Sequence, residues 1–435
     1  MKVSLLATHL SRMVLVPFSL IAGIYFSSVP LAAQNVDRQI SQLINTGQLE
    51  AARELLNVSN PSEIDRLFFS GRIYKILQQY PQAIAIFREI LRRAPNHINA
   101  QRELAHTLLF AGEYREAGTR FSDLVRIDPN VSMRNGYRRF LRTIEQNKPA
   151  GISAQFSLLP TTNINSGTYN HVFSTGIGDF VIDQSAQGTS GIGVRLGISG
   201  FFRKTVSAQN QTQLNWGISG TAYDVEGYGS VAGRLSLAFS HKAPNVQWTV
   251  EPFGRYTWNA SGSENGAVGL RFAMQKKLSP QDGLAFSTSF EYRTFPGREY
   301  QNGPFISVSL SEIHQFGSGL SISSGLRGEF SRPEAAHLQF DSLTLFSDIA
   351  KSWENGTNTS LGAQFGVRNF VGVYPLTSSP RADTFSRVSM SISNDRIQVF
   401  SIVPKLSCAL SSNQSNVAFF DYFVADCQIA FTQLF

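Results

Sequence analysis

Cys408 and Cys427 carry the plainest chemistry in this chain of 435 residues. Cys408 shares the parity of Leu406 and Leu410, and Cys427 that of Ile429 and Phe431, so both project from one apolar face of a final antiparallel pair. Outside the cytoplasm such a pair either oxidises to a cross-strand disulfide or stands as two thiols on that face. Other reactive groupings are absent: the sequence holds no H-E-x-x-H, C-x-x-C or G-x-S-x-G. Gly191-Ile192-Gly193 falls within an alternating segment and belongs to a strand face, not a phosphate loop. His171, His241, His314 and His337 are expected in loops and turns, and His106 alone does not make a metal site. No enzyme activity, cofactor or metal is expected.

The charged residues follow a second pattern. From Pro149 to the end, apolar residues alternate with Ser, Gly, Gln and isolated charges, as in Ile192, Val194, Leu196 and Ile198 or Val268, Leu270, Phe272 and Met274. Arg195, Arg234, Arg271, Glu291, Arg293, Arg327, Glu329 and Arg368 all fall on the polar parity. Two faces of opposite character over about fourteen such segments fit a transmembrane barrel, apolar toward lipid and polar toward a lumen. The charges then form either a partly cationic path or an ion-pair network that fills the barrel. Short turns at 241–245, 316–319 and 394–396 alternate with longer connections at 295–303 and 374–385. All four Trp and 25 of the 33 Phe lie in this half, as aromatic girdles require. An even strand number returns the chain to the side from which it entered. Phe431 and Phe435 close the last segment as an aromatic-ended strand, the kind of signal that barrel-assembly machinery reads.

Ahead of the barrel the period is helical and repeats every 34 residues: Gly71/Ala105, Tyr80/Tyr114, Ala83/Ala117, Phe87/Phe121 and Pro95/Pro129. That is the tetratricopeptide period, with small Gly71 and Ala83 where helices cross and Tyr74 and Phe87 filling between them. The segment Gly47 to Ala52 mirrors Gly112 to Ala117, three residues out of register, as a degenerate first repeat. First helices of such pairs line the concave face, here presenting Arg72, Lys75, Arg102 and His106. They make either a basic client-docking groove or an ordinary solvated surface. Lys2 and Arg12 precede an apolar run from Met13 to Phe26, followed by Ala32-Ala33, the form of a secretory signal. The expected divisions are 1–33 signal peptide, 34–148 periplasmic repeat domain and 149–435 outer-membrane barrel.

Composition narrows the classes. Charged residues are 16% and hydrophobic residues 42%, which excludes intrinsic disorder, and two cysteines exclude a disulfide scaffold. The net charge of +7 suggests nucleic acid only until it is located: residues 34–150 hold 17 Lys and Arg against 12 Asp and Glu, while residues 151–435 hold 19 of each. A neutral barrel behind a basic helical domain points to membrane lipid and protein partners, not to nucleic acid.

Two segments add a resemblance. Pro160-Thr161-Thr162-Asn163-Ile164-Asn165 is similar to the P-[DT]-[ST]-N-I-N motif of the surface lipoprotein assembly modulators (Slam). Pro404-Lys405-Leu406-Ser407, Ser415-Asn416-Val417 and Phe419-Phe420-Asp421-Tyr422 resemble that family's closing blocks. The resemblance implies a multidomain fold, all-α repeats followed by a fourteen-stranded antiparallel transmembrane β-barrel, and translocation of specific clients across the outer membrane. Those clients would be surface lipoproteins or soluble haem- or metal-binding secreted proteins. Asn163 and Asn165 read equally well as client contacts or as polar turn residues. The helical domain is shorter than is usual in the family, and Phe423 replaces the usual basic residue after the D-Y block. A polysaccharide-export porin or a passive porin with a repeat adaptor is the competing architecture.

Overall fold

The computed structural model describes residues 31–175, 178–375, 377–399 and 402–434; residues 1–30 of the expected signal segment and Phe435 lie outside them. Packing divides the chain into two compact units that meet in sequence at Ala117/Gly118. The change of period lies elsewhere, at residues 148–149.

The first unit holds α1 (Leu31–Asn45), α2 (Leu49–Val58), α3 (Glu63–Ile76), α4 (Tyr80–Arg93), α5 (Ile98–Phe110) and the first turn of α6 (Tyr114–Ile127). The turns that end α1, α3 and α5 close alike. Residues Gly47, Gln78 and Gly112 have φ of 77°, 59° and 80°. In each turn the next amide donates to the carbonyl five residues back, Gln48 to Leu43, Gln79 to Tyr74 and Glu113 to Leu108. This left-handed helix stop favours glycine. It also identifies α1–α2 as a repeat of the same design as α3–α4, shifted by three residues. Where α3 crosses α4, a Cβ at Gly71 would stand 2.8 Å from Cε1 of the buried Phe87 ring. Gly71→Ala would force the crossing apart. Ile40, Ile44, Ala52, Leu56, Phe69 and Ile73 form the core of α1–α3, and each fully buried large side chain contributes about 1.5–3 kcal/mol.

The second unit begins with the rest of α6 and with α7 (Val131–Asn147). Asn130 caps α7 by accepting from the Met133 amide at 3.1 Å. Phe121 of α6 stacks on Phe140 of α7, with ring centroids 5.2 Å apart. Tyr137 donates to Asp128 Oδ2 at 2.6 Å.

Strand β1 (Ala150–Thr161) then starts the barrel. A two-stranded hairpin, β2 (Val172–Thr175) and β3 (Gly178–Val181), stands apart in the connection that follows. The wall continues through β4 (Gly191–Thr205), β5 (Asn210–Tyr223), β6 (Ser230–Lys242), β7 (Val246–Asn259), β8 (Glu264–Lys277) and β9 (Asp282–Thr294). It finishes with β10 (Gly303–Gln315), β11 (Leu320–Ser331), β12 (Phe340–Ser352), β13 (Thr357–Val373), β14 (Pro380–Asn394), β15 (Lys405–Ser415) and β16 (Tyr422–Leu434). Neighbours pair antiparallel in chain order, and β1 closes on β16, making fourteen strands with no free edge. Leu196, Ile218, Leu235, Val268, Phe290, Leu326, Leu345, Phe365 and Met390 all project from the exposed outer side. Such a wall is stable only with lipid around it. No described helix is long and apolar enough to cross a membrane.

Three local expectations change. The turn expected at 394–396 is a longer connection, since β14 ends at Asn394 and β15 begins at Lys405, and within it Val399 bridges Ile402 instead of joining the wall. The connection before β14 is correspondingly shorter, 374–379. His241 and His314 are the penultimate residues of β6 and β10, not loop residues.

Candidate functional site

The charged lumen wall is the product of strand parity. Arg195, Arg234, Arg271, Glu291, Arg293, Arg327, Glu329 and Arg368 all lie on the side opposite the exposed apolar row of their strands. Their surroundings differ. Arg234 meets Glu251 at 3.3 Å, and Glu291 lies between Arg255 at 3.1 Å and Arg293. The Arg293 guanidinium also covers the Phe305 ring, and that of Arg234 the Phe253 ring. Arg195 donates to Thr221 Oγ1 at 3.0 Å. Arg368 is held between the Phe340 and Phe385 rings, and its buried Nε has no acceptor. Among the described residues Arg271, Arg327 and Glu329 have no ion-pair partner. The lumen is therefore neither a bare cationic path nor a fully neutralised plug.

At the helix-bearing end, α7 is tied to the rim at two places. Arg138 Nε donates to Asp395 Oδ2 at 2.9 Å, and Arg134 Nη2 to the Glu354 carbonyl at 3.0 Å. These acceptors lie in the connections after β14 and β12. At the other end of the helix Arg203, from β4, donates to the carbonyls of Glu145 and Lys148 at 2.6 and 3.0 Å. Four strands, β1, β16, β15 and β14, separate β4 from β13 around the wall. A 17-residue helix is about 25 Å long, so α7 runs as a chord across this mouth.

At the opposite end the two sequence blocks meet over the closure of the barrel. Pro160 lies near the end of β1, where it has no N–H to offer the ladder. Asn163 is 6% exposed: its Oδ1 accepts from the Gly167 amide and its Nδ2 donates to the Gly167 carbonyl, at 2.9 and 2.8 Å. Asn165 Oδ1 accepts from the Thr189 amide at 3.1 Å, and the amide of Ile164 between them donates to the Thr189 carbonyl. Asp421 accepts from the Ser415 amide and from Asn170 Nδ2 at 2.6 and 2.9 Å, while Thr168 Oγ1 donates to the Ala418 carbonyl at 2.6 Å. Phe173, Ile182 and Val417 form a small apolar core beside them. The asparagines and Asp421 are thus spent on holding the 162–190 connection over the last hairpin. Tyr422 lines a polar cavity of about 630 Å³ beneath, with Arg195, Arg387 and Asp426. Cys408 and Cys427 face each other across β15 and β16 and are joined as a disulfide, with Cα atoms 4.1 Å apart. Phe431 packs on Phe156 where β16 meets β1.

In the helical unit Arg72 and Lys75 of α3 both reach Glu103 of α5, at 3.5 and 2.6 Å, and Arg72 also donates to Ser41 and Asn45 of α1. Arg102 donates to Asn99 Oδ1. Burial holds the His106 imidazole below its ordinary pKa, Lys75 adds to that, and Glu103 opposes it. Arg72 and Lys75 thus tie α3 to its neighbouring helices, while Arg102 bonds within α5.

The family description "Surface lipoprotein assembly modifier" matches residues 151–435, the whole barrel, and a tetratricopeptide repeat matches residues 77–135. The chain belongs to the surface lipoprotein assembly modifier family. Surface lipoprotein assembly modifier 2 of Neisseria meningitidis serogroup B is 21% identical over 236 aligned positions, covering 46% of each protein. The match thus spans about half the length of that relative. Solved barrels share little with this one: the Pseudomonas putida toluene transporter TodX has 9% identity and a TM-score of 0.36 over 66% of this chain and 91% of that one. Salmonella typhi OmpF has 8% identity and a TM-score of 0.37, over 66% and 97%. For a member of this family the barrel sits in the bacterial outer membrane, and the α7 mouth opens to the periplasm.

Arg134, Arg138, Arg203, Glu251, Arg255 and Asp395 are structural participants that sequence reasoning missed. Arg255 was findable, since it shares the parity of Gln247 and Thr249, but Pro252 and Phe253 interrupt the alternation around it.

Proposed function

We propose that this protein moves specific client proteins across the outer membrane, either surface lipoproteins or soluble haem- or metal-binding secreted proteins. The client docks first on the periplasmic repeat domain of residues 34–148, along the face of Arg72, Lys75, Arg102 and His106. It then passes in unfolded form to the barrel of residues 149–435. One observation carries the reading most: the last helix before the barrel is bonded across the periplasmic mouth through Arg134, Arg138 and Arg203. Whatever acts on α7 therefore acts on access to the lumen. Fourteen strands lie between the side-chain-filled barrels of eight and the water channels of sixteen to eighteen, so an extended chain suits this lumen better than a folded domain.

The family name supports a lipoprotein client, and Glu103 neutralising Arg72 and Lys75 supports recognition by shape more than by charge. The aromatic-ended last strand fits insertion by the barrel-assembly machinery. Deletion of the gene, followed by proteomics of the cell surface and the culture supernatant, tests the proposal. Loss of one protein from the outside, restored by the intact gene, is the expected result. An unchanged surface proteome, or loss of a polysaccharide alone, overturns it.

A further inference from the structure

On the lumen wall the register assembles a patch to which no role has yet been given. Ser289 of β9 pairs with Ser307 of β10, and Ser287 with Ser309, so four hydroxyls form a square. Arg271 of β8 lies beside Ser289, and Arg327 of β11 beside Ser309, flanking the square on opposite sides. A cavity of about 330 Å³ stands over the patch, bordered also by Arg234, Arg255 and Glu291. Glu251 answers Arg234 and also lies beside Arg271 in register, Glu291 answers Arg255 and Arg293, and Glu329 lies beside Ser307 in register. Among the described residues, no carboxylate lies within 4.0 Å of Arg271 or Arg327, and no protein group engages the four hydroxyls. Arg327 is oriented by the Phe346 ring, 5.4 Å from its guanidinium carbon.

From this arrangement we infer that the patch binds carboxylate-rich stretches of extended polypeptide. Guanidinium forks match carboxylates in geometry as well as charge, and the hydroxyls between them offer further donors. The spacing sets the ligand. Strands β8 and β11 are three inter-strand steps apart, about 14 Å between backbones, and Arg271 and Arg327 border the same cavity. In an extended chain, side chains four residues apart are about 13 Å apart, so two acidic residues at that spacing reach both flanks. The inference rests on the reading that clients are polypeptides, and it adds which segments of them the lumen holds.

The test uses the full-length protein in detergent micelles and a fluorescent oligoglutamate peptide, followed by anisotropy, with oligolysine and a phosphorylated oligosaccharide as competitors. Oligoglutamate should bind, and its affinity should weaken steeply as salt rises through the range where the Debye length shrinks below about 10 Å. Arg271→Gln with Arg327→Gln should weaken it about tenfold or more, equivalent to about 1.4 kcal/mol. Ser287→Ala with Ser309→Ala should weaken it less and serves as a milder variant, with the heat-modifiable mobility of the barrel reporting folding in both. Absence of binding, equal binding of oligolysine, no effect of either variant in folded protein, or tighter binding of the oligosaccharide would each overturn the inference. A negative result here with a client lost on gene deletion would leave translocation standing and remove only the acidic-segment site.

Discussion

Arg138 and Asp395, 257 residues apart in sequence, join α7 to the connection after β14, with Nε donating to Oδ2 at 2.9 Å. Both side chains are about three-quarters shielded, at 24% and 23% exposure. Asp395→Ala should therefore cost about 1–2 kcal/mol of docking, between the values for exposed and buried pairs. Hydrogen exchange of residues 131–147 should accelerate about tenfold or more, while the strand amides stay protected. Unchanged exchange would mean that Arg134 and Arg203 hold the helix unaided.

At the outer end, Asn163→Ala removes both bonds to Gly167, taking the partner of its buried carbonyl and leaving its amide only the 3.3 Å bond to Asn165 Oδ1. A loss of about 1–3 kcal/mol is expected, confined to the 162–190 connection. External protease added to intact cells should then cut within that connection, and the β4–β16 wall should remain whole.

Glu291, 8% exposed, is the shared acceptor of Arg255 and Arg293. Glu291→Gln strands two guanidiniums on the wall and should destabilise the barrel by about 1–3 kcal/mol, seen as a lower midpoint in urea unfolding from lipid vesicles. Replacing Arg255 as well should restore part of that loss, since one of the two orphaned charges is gone.

The helical unit should weaken in acid. Because His106 titrates below its ordinary value when folded, it stabilises the fold above about 6.5 and loses that contribution as pH falls through the lowered value. Far-UV circular dichroism of the full chain should show the helical transition moving to lower temperature between about pH 7.5 and about pH 5.5. His106→Gln should remove most of this dependence; an unaltered pH profile in that variant would assign it to other groups.

Alkylation followed by mass measurement checks the disulfide. Denatured, non-reduced protein should take up no reagent, and reduced protein should take up two equivalents, at Cys408 and Cys427. Cys408→Ser with Cys427→Ser should lower stability by about 2–4 kcal/mol.

The barrel is legible in the sequence because lipid outside and polar lumen inside impose opposite demands on alternate residues, which Ile192 to Ile198 display plainly. The repeats are legible because close helix packing demands small residues at fixed intervals, as Gly71 against Phe87 illustrates. What stayed hidden depends on pairing over distance. Nothing local marks Arg138 for Asp395, or Glu103 for Arg72 and Lys75, 28 to 31 residues away. The serine square escaped because a serine on a lumen face is ordinary; only the register makes four of them adjacent. The length of the 395–404 connection was hidden too, because the bridge of Val399 to Ile402 is a pairing that no local signal marks.

The bridge between Cys408 and Cys427 lies on the side of β15 and β16 that acyl chains cover. Water-borne oxidants and reductants meet these sulfurs only while the chain is still in transit through the periplasm. The redox state of the last hairpin is thus settled before the wall is sealed, and insertion locks it in. A cell that secretes this protein under reducing conditions would carry that history in its membrane, as barrels whose final hairpin can no longer be oxidised from either side.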